Sequence, residues 1–506
     1  MARYKIVTCI PGIQIITLAL ILFVYMPGFG QGYSNLFMFG YDCCSPGFGG
    51  SDINWYSGTP VLTNVSRSMN FDFTNANITT AEGDLLFYTN GVYIANRLNN
   101  HMLNGDGLAP GYITSVYHNL GLPIQQGAII LPANQGASSL YYLFHETGDS
   151  SYCSFGCLPS RLLCTTIDMS LDSGLGAVVS KNVELFTDTL TWGMLTACRH
   201  ANGRDWWVVI PKTRSNLYHL LLVTPFEIVH TVQNIGLPTH GYDLGQTVFS
   251  PDGTHYARMD PRNGLQVMEF DRCTGTFYNY QHIDSASFTD MGYASGVSFS
   301  ASSRYLYVSN TMNIFQLDIL APNLLQSMLT VATYDGFVSP APIPFFISQL
   351  YNDGKIYLAT VNGSNWLHVI NYPDSAGLAC DVQQHSIQLP TQNAGTLHTP
   401  PNFGLRAMGN SICDSLITGT SSINYPEKEL YLFPNPAHGR VYLALAGIDP
   451  INVSILDLMN RTILISAIKE NGNKFILEIK DLKSGVYIVR VSDRSGKIYS
   501  RKLVVE

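Results

Sequence analysis

Apolar and polar positions repeat one arrangement six times along the chain. A strand runs into a tight polar turn, and a second strand rich in aromatic and β-branched residues follows. The second strands read LLFYTN from Leu85, LYYLFH from Leu140, WWVVIP from Trp206, HYARMD from His255, YLYVSN from Tyr305 and IYLATV from Ile356. The turns before them (EGD, NQGASS, NGRD, PDG, ASSR, NDG) hold residues that accept positive φ or bond their own backbone. A third strand follows each time, and a fourth is visible in the later repeats, as in AVVSKNVELF and EIVHTVQNI. The unit is a four-stranded antiparallel meander with a period of roughly 50 residues, in the range of propeller blades. Radial stacking covers the faces of such meanders and leaves only short edges. The pattern therefore predicts an all-β chain whose main body is a β-propeller. Six blades are visible. A seventh is expected as a composite of TLHTPPNFGLRA with N-terminal strands such as NLFMFG or INWYSG. An array of β-sandwiches is the alternative reading.

The texture changes after the last blade. Residues 416–429, LITGTSSINYPEKE, are polar and read as a linker. Beyond them lysine and arginine become frequent, cysteine disappears, and short strands alternate with turns, as in a small Ig-like β-sandwich. The expected organisation is a signal peptide over 1–30, a propeller over 31–415, a linker over 416–429 and a terminal sandwich over 430–506.

Two stretches resemble known families. VFSPDGTHYARMD, from Val248, resembles blades of WD-like and TolB-like propellers, which implies fold and no activity. The C-terminal segment resembles the type A C-terminal sorting domain of the type IX secretion system of the Bacteroidota. Its motifs are Phe433, Pro434, Asn435 and Pro436, then Gly439 and Val441, then Asp457 with Asn460 where glycine is usual. Leu482, Gly485, Val486, Tyr487 and the basic terminal strand with Lys502 complete the pattern. The two prolines cannot donate to a strand ladder, which suits a domain edge. The resemblance implies handling by the type IX secretion machinery, passage through the periplasm and delivery to the cell surface or the medium.

Composition agrees with export. Hydrophobic residues make up 46% and charged ones only 13%, so the surface polarity is largely uncharged. A net charge of -8 with no basic tract argues against nucleic acid as a partner. Arg3 and Lys5 precede an apolar stretch that ends in MPGFGQG, which suits cleavage before Gln31. An uncleaved anchor is the alternative, although Pro11, Gly12 and Gln14 interrupt the stretch. No second stretch is long enough to span a membrane, so none is expected in the mature chain. Export makes the ten cysteines disulfide candidates, and Cys380 with Cys413 is the expected pair, tying the tail to the last blade. Cys43, Cys44, Cys153, Cys157 and Cys164 lack zinc-site spacing.

The densest polar cluster is TACRHANGRDWWVVIP, with His200, Asn202, Arg204, Asp205, Trp206 and Trp207. It reads either as a ligand site, with indole faces for a sugar, or as a blade turn whose polar groups bond the backbone. With FYTNGVYIAN and MLNGDGLAPG it resembles a broad group of Bacteroidota propellers bearing the same sorting domain, which implies no particular chemistry. Asp168 with Asp172, and Asn104 with Asp106, lack calcium-loop spacing and read as turn residues. Thr189, Ser285, Ser375 and Ser415 each follow an aspartate and resemble the short O-glycosylation motif of that phylum. No nucleophile elbow, zinc-helix motif or phosphate loop occurs, and neither cofactor nor metal is expected. The expected function is a secreted propeller that binds a glycan or a protein. The alternative is a polysaccharide hydrolase or lyase with carboxylates in the propeller funnel.

Overall fold

The computed structural model describes residues 32–41, 49–56, 59–133, 139–147, 158–240, 244–393, 395–409, 411, 413, 429–433, 437, 439–446, 450–457, 461–464, 468–469, 474–494 and 497–505. The expected signal peptide, most of the expected linker, Cys43, Cys44, Cys153, Cys157, Ser415, Pro434, Asn435, Pro436 and Asn460 lie outside these residues.

Seven antiparallel sheets follow one another between Leu36 and Asn393, and each is a propeller blade. Blades 1 (36–65) and 2 (76–96) have three strands. Blades 3 (128–187), 4 (196–234), 5 (246–283), 6 (295–333) and 7 (345–393) have four, in simple meander order. All six strands expected to follow a polar turn are present, including Trp206–Pro211 and Tyr305–Asn310. Both of these are buried along their whole length, because each face packs on a neighbouring blade. The outermost strands read differently. Ile228–Asn234 is mostly exposed and polar, which discourages edge-to-edge pairing with another chain.

The seventh blade is not composite. Leu36–Gly40, Gly50–Asn54 and Val61–Val65 form blade 1 by themselves. The ring closes where this blade meets blade 7. There Trp55 packs at 4.5 Å from Tyr351 and donates from Nε1 to Tyr357 Oη at 3.3 Å. The hydroxyls of Ser51 and Thr391 lie 2.7 Å apart across the same seam.

The segment TLHTPPNFGLRA adds no strand. It runs along the inner strands from their beginnings to their ends. Thr396 Oγ1 donates to Phe73 O at 3.1 Å, just before the inner strand of blade 2. Leu397 packs with Phe37 of blade 1 and Phe346 of blade 7, and the His398 ring faces Phe37. Asn402 Nδ2 then donates to Pro251 O at 2.7 Å, just past the inner strand of blade 5. Thr396, Leu397, His398 and Phe403 are all buried, so the tail fills much of the axial channel.

The disulfide also differs from expectation. Cys413 is bonded to Cys273, in the turn between the third and fourth strands of blade 5, with the Cα atoms 5.8 Å apart. By Cys413 the tail has crossed the ring and left blade 7 behind. Cys380 stays on blade 7 at the end of the turn Gly377–Cys380, a free thiol in an apolar cluster with Tyr305, Ile356 and Ile370.

The C-terminal residues form two four-stranded sheets. One contains Glu429–Phe433, Arg440–Ala446, Ile468–Lys469 and Lys474–Glu478. The other contains Pro450–Leu456, Thr462–Leu464, Gly485–Asp493 and Ile498–Val505. Val441, Leu443 and Leu477 of the first share one core with Ile455, Val489 and Leu503 of the second, as in a small sandwich.

Candidate functional site

The cluster between His200 and Trp207 is brought together, and its polar groups are spent on one another. His200 Nδ1 accepts from the Asn202 N–H, which leaves Nε2 to donate to Cys273 O at 3.0 Å. Asn202 donates to Asp205 at 2.7 Å, and Arg204 grips the same carboxylate from Nε and Nη2. Trp207 is buried and donates to Arg272 O at 2.9 Å. Trp206 is buried beneath the Arg199 guanidinium, which stands 4.0 Å from its ring centre. Arg204 alone of the six is partly exposed. Neither indole therefore offers a face to a ligand. The arrangement is a brace. It ties the blade 4 turn to blade 5, and Met408 N–H donates to Ala201 O to hold the tail beside it.

A cavity of about 320 Å³ opens next to this brace, at the end of the axial channel where the inner strands finish. Its walls come from the inner-strand ends of blades 4 to 7, and residues 400–405 of the tail form another wall. Thr196, Ser298, Gln349, Asn352 and Asn402 line it with hydroxyls and amides, of which Ser298 bonds to Ser348, Gln349 to Leu350 O, Asn352 to Asn35 and Asn402 to Pro251 O. Phe249, Phe299 and Pro401 border it, with both phenyl rings buried among their neighbours. Among the described residues the lining holds no carboxylate, imidazole or ammonium. Arg199 is its one cation, and its guanidinium already donates to Gly203 O and Phe403 O. The lining thiol, Cys198, is pushed up to about 12 by burial, so it is no nucleophile at neutral pH. Tyr351 is likewise raised well above its ordinary value by burial.

Sequence reasoning missed this pocket. Its polar residues stand singly at the ends of four strands, and one wall belongs to a segment that reads as a ring-closing strand. No local motif signals them.

The remaining expected residues are dispersed. Thr189 is exposed, and Asp188 before it is bound by Lys212 at 2.6 Å and His219 at 3.1 Å. Asp284, before Ser285, caps a short turn by accepting from Ala286 N. Asp374, before Ser375, accepts from the Ser302 N–H and hydroxyl. In the sandwich Gly439 has φ +71 immediately before the strand Arg440–Ala446, a conformation that favours glycine. Gly485, Val486 and Tyr487 open a long strand, and the Tyr487 hydroxyl donates back to Lys483 O at 2.8 Å. Lys502 lies on the exposed side of the last strand.

Residues 431–506 match the family described as the secretion system C-terminal sorting domain. The C-terminal sandwich is a type IX sorting domain. It marks the chain for export to the cell surface or beyond. Beside the sorting domain stands a curated relative, an endo-acting ulvan lyase of Formosa agariphila, 32% identical over 79 residues. That match spans 15% of each chain, too little to hold a seven-bladed ring. Solved structures similar to the chain include a protein from Lactobacillus plantarum, at 12% identity and TM-score 0.43, covering 72% of this chain and 98% of that one. A putative 6-phosphogluconolactonase from Bacteroides fragilis has 12% identity and TM-score 0.40, with 72% and 96% covered. The Dos1 propeller has 10% identity and TM-score 0.34, with 66% and 74% covered. The fold assignment stands on the strand pairing described above. Among the described residues no helix is long and apolar enough to cross a membrane.

Proposed function

We propose that the exported ring is a non-enzymatic binding module, and that its ligand, a glycan or an end of a protein chain, enters the axial pocket. The observation that carries this reading is the lining. Glycoside hydrolysis by the usual route needs two carboxylates flanking the bond, and elimination needs a positioned base. The pocket is lined instead by neutral hydroxyls and amides and by the Arg199 guanidinium, with a buried phenol and a buried thiol that hold their protons. The tail supports the same reading, because it occupies the funnel in which an axial active site would sit. We also propose that residues 1–30 are a signal peptide removed before Gln31, that 416–429 is a linker, and that the host belongs to the Bacteroidota.

The test uses secreted full-length protein on a glycan array and on a panel of extracellular proteins. Reducing-end and unsaturated-product assays run in parallel. Saturable binding without new ends is the expected result. Steady product formation from any polysaccharide would establish the enzyme alternative.

A further inference from the structure

We propose that His219 and His230 form a two-imidazole site for a borderline divalent ion, Cu²⁺ or Zn²⁺, on the outer flank of the ring where blade 3 meets blade 4. The site is independent of the axial pocket. The two residues lie 11 positions apart, on the third strand of blade 4 (Leu217–Val223) and on its fourth (Ile228–Asn234). Leu221 pairs with His230, and His219 pairs with Val232. The histidines are therefore diagonal neighbours on one face of the sheet.

Their spacing suits two ligands of one ion. His219 Nδ1 stands 3.0 Å from His230 Nε2. Nitrogens bound to one ion at about 2.0–2.1 Å each, with a right or tetrahedral angle between them, sit roughly 3 Å apart. Phe186, on the outermost strand of blade 3, stacks on both imidazoles at 4.2 and 4.4 Å and keeps them side by side. His219 Nε2 donates to Asp188 Oδ2 at 3.1 Å, which leaves the lone pair on Nδ1. A carboxylate behind a ligating imidazole is the usual outer partner of such a site. Lys212 holds the same carboxylate at 2.6 Å, so these four side chains carry no net charge and affinity rests on the imidazoles. Burial lowers both histidines from their ordinary value, His219 to about 4, so both are neutral at pH 7. Without an ion, His230 Nε2–H donates to His219 Nδ1. With one, that proton moves to His230 Nδ1, on an exposed ring that water solvates. His219 is buried, so the ion enters from the His230 side. Among the described residues no third histidine, cysteine or carboxylate converges with the pair as a ligand, and water completes the coordination. Imidazole nitrogens select copper, nickel or zinc over calcium and magnesium, which need oxygen donors.

The test uses the full-length protein, without a histidine tag and dialysed against a chelator. Cu²⁺ and Zn²⁺ are titrated separately by calorimetry, with Ca²⁺ as the control. His230→Gln removes the exposed ligand, and a thermal melt confirms that its ring is intact. The expected result is one ion per chain, copper bound more tightly than zinc, and a loss of roughly tenfold or more in the variant. The electron paramagnetic resonance spectrum of the copper form should show two nitrogen ligands in the wild type and one in His230→Gln. Loss in the variant for either ion sustains the site and names its metal. The chain holds 13 histidines, so binding elsewhere is the rival reading. Equal affinity and an unchanged spectrum in His230→Gln overturn the proposal, as does failure of both ions to bind the wild type. Displacement of either ion by Ca²⁺ overturns the nitrogen donor set.

Discussion

The sorting domain and the ring are both built from short antiparallel strands, yet they close in different ways. Among the described residues every strand pairing of the sorting domain lies between Glu429 and Val505, and one compact core joins the two sheets. In the ring the closing contacts join distant parts of the chain. Ser51 meets Thr391 across 340 residues, and Thr396 reaches Phe73 across 323. The ring also takes its own tail along its axis and fixes it by a bond across 140 residues. The difference shows why an address can be read from a motif, whereas a pocket at a propeller axis cannot. The first is local. The second exists only once seven blades and a tail have met.

The largest expected effect separates the two regions outright. Deleting residues 431–506 should abolish export and leave a folded ring inside the cell. Fractionation of the host and a cooperative melt of the retained protein check this, and export of the truncated chain would remove the address reading. A smaller effect probes the tail. Cys413→Ser should lower stability by about 2–4 kcal/mol, because the unfolded chain regains a long loop. Residues 396–409 should then exchange amide hydrogens faster while the sorting domain is unchanged. Equal exchange in both proteins would mean that packing alone holds the tail.

Acid should also act on the ring before the sorting domain. His145 and His398 are each lowered to about 3 by burial, His398 in spite of a backbone hydrogen bond to Leu36 that favours its charge. A histidine with a depressed folded value stabilises the fold above its unfolded value, near 6.5, and that stability is lost as pH falls toward 3. Each ring should cost about 1.4 kcal/mol per pH unit across that window. Denaturant midpoints between pH 7 and 4, with His398→Gln as the comparison, measure the slope. An unchanged slope in the variant would show that His398 does not drive it. Glu146 runs the other way. Burial raises its carboxyl well above the ordinary value against a favourable Gly193 N–H, so its contribution is present at low pH and is lost as pH rises. The smallest effect tests the brace. Arg204→Ala removes a cation from the buried Asp205 carboxylate, which keeps its Asn202 bond, so it should cost about 1–2 kcal/mol and should leave glycan affinity untouched. A marked loss of affinity would return the blade 4 turn to the list of ligand sites.

Much of this protein is legible without coordinates. Each blade is a local meander, so strands such as Tyr305–Asn310 and Ile356–Thr360 follow from alternation and turn residues alone. The sorting domain follows from glycines and a strand order that depend only on near neighbours. What the sequence could not determine involves partners far apart in the chain. Cys413 chooses Cys273 over Cys380 because the tail crosses the axis, a path set by the closed ring. Of the tryptophans that look made for a sugar, Trp207 is buried where blade 4 meets blade 5, and Trp206 on the opposite face, in the core shared with blade 3 and against Phe403 of the tail. The pocket is assembled from unremarkable residues at the ends of four inner strands. Local propensity and hydrogen bonding decide strands and turns. Which side chains face the axis, and which remain free to meet a ligand, is decided by burial, and burial exists only in the assembled ring.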